Sequence, residues 1–264
     1  MGKAGERYVA HFFPGTGRSY DRVVAWTTLG LDARWKRRLL DLVPASRTIL
    51  DLACGTGILT FALLGRFPSA RVVGVDVTED YLAVARAKHR ARGGDVVWLL
   101  GDAVATPVET WGPFDAIVSS YLPKYVDPDR LLDNVLPTLR PGGVLLLHDF
   151  TRPAAALPRL VWRAWYAILE RVAPRRHPEW RNVFDGSLRR LVAETRWVGT
   201  FRMALQRRGY AEVRVCRLTF GAAAIVAARK PLAHPLGDGG ASASAAGEFK
   251  GPASSTAAGT RGDP

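Results

Sequence analysis

The chain has 264 residues, 48% of them hydrophobic, enough to bury the core of one larger domain or of a domain with an insertion. Its apolar runs fall well short of a bilayer span and no leader-like apolar stretch opens it, so a soluble cytoplasmic protein is expected. Two distant cysteines, Cys54 and Cys216, argue against a disulfide framework or a structural zinc site, and a net charge of +13 points either to an anionic partner or to a bias towards scattered arginine.

Residues 1–45 carry "SYDRVVAWTTLGLDARWKRRLLDLV", which has a helical period and predicts an N-terminal helical lid. Strand and helix signals then alternate from residue 46. "RTILDLA" reads as a buried strand and "ILTFALLGRF" as a helix. "ARVVGVD" and "EDYLAVARAKHRAR" repeat the pair. "DVVWLLGD" and "FDAIVSSYL" are the third and fourth strands, "DRLLDNVLPTL" a helix and "PGGVLLLHDF" the fifth strand. Apolar strands with helical crossovers make a parallel sheet covered on both faces.

Residues 151–195 form a helical insertion after the fifth strand. In it Val161, Trp165, Ile168, Leu169 and Val172 share a face opposite Arg159 and Arg163. That face either packs on the core or meets lipid or an apolar substrate. "AEVRVCRLT" and "GAAAIVAARK" lie back to back, so they should pair as an antiparallel hairpin that ends the domain near residue 232. Residues 233–264 are rich in Gly, Ala and Ser and are expected to be a disordered tail.

The stretch "ILDLACGTGILTF" places an acid, Asp51, before a turn of small residues, Ala53 to Gly57, and then a helix. In an open parallel sheet this turn lies where ligands bind, and small residues let a ligand approach the backbone and the free N–H groups of the next helix. Asp76 ends the second strand about twenty residues on, where a carboxylate accepts hydrogen bonds from ribose hydroxyls. Asp102 ends the third strand and reaches the far end of an adenosine. A dinucleotide fingerprint would place a Gly or Ala near Thr60. Its absence, with the acid before the loop, suits an ammonium-bearing ligand, whose amino group Asp51 can help hold through water or backbone.

These stretches resemble the class I S-adenosylmethionine-dependent methyltransferases. More narrowly, the chain resembles the ubiquinone/menaquinone biosynthesis C-methyltransferase family, through "YDRV", "LGLDARWKRRL", "ILDLACGTG", "VVGVDVTEDYL", "GDA", "LRPGGVLLLHDF" and "LTFGAAAIVAARK". The resemblance implies a doubly wound, seven-stranded Rossmann-like sheet with its last strand antiparallel. It also implies S-adenosyl-L-methionine as cofactor. The cofactor contacts it implies are Gly55, Thr56 and Gly57 in the loop, Asp76 with Val77 at the ribose, and Asp102 with Ala103 at the adenine. Ser120 would line the reacting side and Tyr20 would come from the lid.

The methyl acceptor implied is a quinol or a related prenylated aromatic. A ring carbon becomes a good nucleophile only when a nearby hydroxyl loses its proton, so a base is required. The family carries an Arg-Asn pair after the fourth strand. This chain has "YLPKYVD" there, which puts Lys124 and Tyr125 in that place. His148 and Asp149, at the end of the fifth strand, offer a base with its orienter. Other acceptors consistent with the sequence are a phospholipid amine, a small hydroxyl compound and RNA. No basic and aromatic RNA platform is visible, so nucleic acid is not expected. A cofactor-binding protein without chemistry, using its basic surface for a partner, is the reading from another class. A lipophilic acceptor and the positive charge together suggest peripheral contact with an anionic membrane.

Overall fold

The computed structural model describes residues 3–210 and 212–232. The expected tail lies outside the described residues. Three helices come first: α1 (Lys3–Phe12), α2 (Tyr20–Thr27) and α3 (Leu31–Leu40). The alternating core follows as β1 (Thr48–Leu52), α4 (Ile58–Arg66), β2 (Arg71–Asp76), α5 (Glu79–Arg92), β3 (Asp95–Leu100), β4 (Phe114–Ser120), α6 (Pro128–Val135) and β5 (Leu139–Phe150). Helices α7 (Ala156–Arg176) and α8 (Ser187–Glu194) form the insertion. Helix α9 (Trp197–Arg207) leads to the hairpin of β6 (Val213–Leu218) and β7 (Ala223–Arg229).

The sheet has seven strands in the order β3-β2-β1-β4-β5-β7-β6. All pairings are parallel except those of β7, which runs antiparallel to β5 and to β6. The expected hairpin is therefore present. Strand order reverses between β1 and β4, so the crevice beyond their carboxyl ends is the place where such a sheet binds ligands.

Successive strand residues face opposite sides of the sheet. Leu50, Val73, Ile117 and Leu145 pack into one core, while Ile49, Val72, Ala116 and Leu146 pack into the other with Leu39, Leu59 and Leu63 of α3 and α4. Both faces are buried, as the continuous apolar runs require. Helix α1 approaches the segment after β4 closely. A Cβ on Gly5 would sit 1.8 Å from the carbonyl oxygen of Tyr125, so only glycine allows that contact.

Candidate active site

The turn after β1 takes left-handed backbone at Ala53 (φ 55°), Gly55 (φ 57°) and Gly57 (φ 82°). Asp76 fixes it. Its carboxylate accepts from the Gly55 N–H at 2.8 Å and from the Thr78 N–H at 2.8 Å. Burial pushes the Asp76 carboxyl up, and these N–H groups pull it down. The cavity beside this turn measures about 70 Å³ and is lined by Ala53, Gly55, Asp76, Val77, Asp102, Ala103 and Ser120. Phe13, Tyr20, Tyr81, Tyr121 and Tyr125 are aromatic members of the same wall.

Three of the expected cofactor residues stand behind that lining. Gly57 caps α4 and is not among the lining residues. Thr56 turns away and donates to Asp21 at 2.5 Å, while Lys88 bridges Asp21 and the Thr56 carbonyl, so this residue ties the loop to α2 and α5. Asp51 is fully buried on the α4 face of the sheet. One of its oxygens accepts from Thr60 Oγ1 at 2.6 Å and the other, Oδ1, has no partner among the described residues. Thr60 thus replaces the small residue of a dinucleotide fingerprint because it holds Asp51. Burial raises the Asp51 pKa to about 7.

A second cavity of about 500 Å³ lies next to the first. Its walls include Trp35, Phe150, Trp162, Trp165, Trp180 and Phe184. The two cavities share Phe13, Tyr20, Tyr121 and Tyr125, so one aromatic wall separates them. Lys124 lines the larger cavity only and is the charged residue among that cavity's lining. Its ammonium donates to Asp149 Oδ1 and to the Tyr121 carbonyl, each at 2.8 Å, and lies 4.3 Å from the Tyr125 ring centroid. The Lys124 and Asp149 side chains are 2% and 0% exposed. Burial pushes the lysine down and the aspartate up, each opposed by the partner's charge.

His148 and Asp149 do not form the expected pair. Adjacent strand residues point to opposite faces, so Asp149 meets Lys124 while His148 faces α3. His148 sits opposite Ser120 in the β4–β5 register, and its Nδ1 lies 2.9 Å from Ser120 Oγ. It lines neither cavity, its Nε2 has no partner among the described residues, and burial with nearby Lys36 and Lys124 holds its pKa well below the usual range.

A further cluster is anchored to the shared wall through Tyr121 and backed by Asp32 and Lys36. Tyr121 follows β4 directly, in a left-handed conformation (φ 75°) that aims its ring across both cavities. The ring stacks on Phe150 at 4.6 Å, and the hydroxyl donates to Asp32 Oδ1 at 2.6 Å. Lys36 ion-pairs with the same carboxylate, and its ammonium lies 4.6 Å from the Tyr121 centroid. Burial and the Asp32 charge push the Tyr121 phenol well above its ordinary range. Sequence reasoning missed all three residues. Their only signal was an Asp and a Lys four apart on a helix, which is ordinarily a surface pair.

Helix α7 also differs in detail. The buried face carries Trp162, Tyr166, Leu169 and Ala173, while Val161 and Ile168 are exposed. The helix is rotated by about one residue from the expected face because its large aromatic rings fill the cavity wall.

Residues 49–143 match the family described as a methyltransferase domain. Demethylmenaquinone methyltransferase of Thermus thermophilus is 39% identical over 158 residues, 59% of this chain and 70% of that protein. The ubiquinone/menaquinone biosynthesis C-methyltransferase UbiE of Escherichia coli is 35% identical over 153 residues, 55% of this chain and 60% of that protein. Among solved structures, the N-methyltransferase NodS of Bradyrhizobium japonicum, in complex with S-adenosyl-L-homocysteine, shares the fold. Its TM-score is 0.51 at 19% identity, covering 75% of this chain and 87% of that one. Fold and relatives together define a class I S-adenosylmethionine-dependent methyltransferase, an enzyme that uses S-adenosyl-L-methionine. Within that class the chain belongs to the family of demethylmenaquinone methyltransferase, and it resembles the ubiquinone/menaquinone biosynthesis C-methyltransferases.

Proposed function

We propose that the enzyme methylates a ring carbon of a quinol or a related prenylated aromatic. The observation that carries this reading is the large aromatic cavity sharing one wall with the cofactor cavity. A cavity of about 500 Å³ suits a fused ring and the start of a prenyl chain. The names of the two quinone-pathway relatives point the same way.

The residues present fit the cofactor. Asp51 keeps a buried, unpartnered carboxylate oxygen behind the turn, a negative charge for the cofactor's amino end to meet through backbone or water. The side-chain-poor turn at Ala53 and Gly55 leaves room for the chain, Asp76 and Val77 would hold the ribose, and Asp102 and Ala103 the adenine. Ser120 and Tyr20 would flank the reacting end. Thr56 and Gly57 contribute by shaping the loop. When bound, S-adenosyl-L-methionine supplies a methyl group already activated on a sulfonium.

The chain's own task is then to align the acceptor, exclude water and remove one proton. Tyr121, Asp32 and Lys36 are the residues we assign to the proton. The acceptor's hydroxyl proton passes to Tyr121 Oη as Tyr121 hands its own to Asp32 Oδ1. Lys36 balances the charge. The ring carbon beside that oxygen would take the methyl group that the cofactor supplies, and the proton on that carbon would move to the acceptor's oxygen and restore the aromatic phenol, while the one proton held by Asp32 leaves to water as the product departs. Lys124, with Asp149 as its counter-ion, stabilises the developing phenolate, and Tyr125 supports the ring edge on. His148 acts only by orienting Ser120.

The test is cofactor turnover on a panel: reduced prenylated naphthoquinol and benzoquinol, phosphatidylethanolamine, a catechol and an RNA. The expected result is S-adenosyl-L-homocysteine formation with a carbon-bound methyl on a quinol. Methylation of the lipid amine, the catechol oxygen or the RNA, with both quinols inert, would overturn the acceptor and leave the enzyme class standing.

A further inference from the structure

The mouth of the large cavity is framed by bulky apolar side chains turned outward. Leu29 is 65% exposed, Leu157 71%, Val161 61% and Phe220 85%, and all four line the opening. Two of them occupy costly backbone. Leu29 sits at φ 53° in the turn between α2 and α3, and Phe220 at φ 54° in the turn between β6 and β7. Bulky residues rarely adopt this left-handed region. The second turn is anchored, since Trp35 Nε1 donates to Thr219 Oγ1 at 2.8 Å. Polar residues or glycine would be easier at both tips. The outer face of α7 continues the apolar surface, with Leu157, Val161, Ala164 and Ile168 at helical spacing and Leu160 beside them.

On the α7 side of the rim the charge has one sign. Between Phe150 and Ile168 the chain carries Arg152, Arg159 and Arg163 and no acidic residue. Apolar tips at the acyl boundary with arginines at headgroup level are the arrangement of a protein that lies on an anionic bilayer. A water-facing surface would bury such a patch against a second copy of the chain or replace it.

We infer that the rim formed by Leu29, Leu157, Leu160, Val161, Ile168 and Phe220 docks the enzyme on an anionic lipid bilayer, with the cavity mouth opening into the membrane. This rests on the proposed acceptor being borne by lipid. An acceptor then enters sideways, its ring first, while its prenyl chain stays in the bilayer. Trp162 and Tyr166 of the same helix lie inside as cavity wall.

The experiment is flotation with vesicles of phosphatidylcholine, with and without phosphatidylglycerol, in the absence of acceptor. Wild-type protein should float with the phosphatidylglycerol vesicles at low salt and release at high salt. Phe220→Gly should keep or raise the melting temperature, because glycine suits that backbone, and weaken vesicle partition by about tenfold. Leu160→Gln with Ile168→Gln touches no cavity lining, so turnover on detergent-solubilised acceptor should persist while turnover on vesicle-embedded acceptor falls. Wild-type protein that ignores anionic vesicles at low salt would overturn the inference. So would a dimer in sedimentation that Phe220→Gly dissociates, since the rim would then be a contact between copies. Absence of turnover on every quinol, with flotation intact, would sink the acceptor and spare the docking surface.

Discussion

The two cavities of this enzyme are built in opposite ways. The smaller cavity, assigned above to the cofactor, is built mainly round one turn and the ends of neighbouring parallel strands, and backbone N–H groups position Asp76. The larger cavity, assigned above to the acceptor, is made of side chains from four remote stretches, around residues 13–35, 121–125, 150–188 and 219–222. A cavity made by local backbone is tolerant of its surroundings and easily recognised. One made by distant rings depends on how each helix is rotated, and that is decided only in the folded molecule.

The sharpest test of this contrast is the Lys124–Asp149 pair. Removing one member strands a buried charge, so Lys124→Ala should cost about 3–5 kcal/mol of stability in denaturant unfolding. Lys124→Met combined with Asp149→Leu should recover most of that loss. If the single variant is as stable as wild type, the pair does not hold the acceptor wall.

Next in size is the relay. Asp32→Asn and Tyr121→Phe should each lower kcat by about 10²–10³-fold and leave cofactor affinity within about twofold, because their work lies on the acceptor side. An equal loss of cofactor affinity, read by calorimetry, would erase the division between the cavities. On the other side of the wall, Asp76→Ala removes the acceptor of two loop N–H groups as well as a ribose partner. Cofactor affinity should fall by about ten- to a hundredfold.

The smallest effect is a pH dependence. Asp51 has a folded pKa of about 7, above its ordinary value of 3.8, so between those values the folded protein holds more protons than the unfolded chain. Cofactor-free stability from this group therefore falls as pH rises through that window, by at most about 1.4 kcal/mol per pH unit. A cationic amino group favours the ionised carboxylate, so cofactor affinity should tighten as pH rises through 7. Asp51→Asn should flatten both slopes, measured by melting and by calorimetry.

Much of the scaffold was legible. Apolar runs ending in Asp51, Asp76 and Gly101-Asp102 announced three strands and the edge they share, and the hairpin followed from two β-rich runs with no room for a crossover. The limits are equally physical. Thr56 looked like a ligand contact because it lies in the turn, but a left-handed step on either side swings it towards Asp21. His148 and Asp149 looked like partners because they are adjacent, yet adjacency in a strand separates side chains. Asp32 and Lys36 carried no sign of burial, since four-residue spacing is the same on a wet helix face and a dry one. Tyr121 could not be read as strained, because φ is set by what its hydroxyl and ring meet: Asp32 and Phe150, both far away in sequence.

The wall common to both cavities has a thermodynamic consequence. Phe13, Tyr20, Tyr121 and Tyr125 each face both cavities, so with cofactor and acceptor seated as proposed, an orientation that one ligand selects is imposed on the other. Such coupling is reciprocal: whatever factor the cofactor adds to acceptor affinity, the acceptor must return to the cofactor. Four rings thus make two binding equilibria one, and loading order becomes a property of the partition rather than of either chamber.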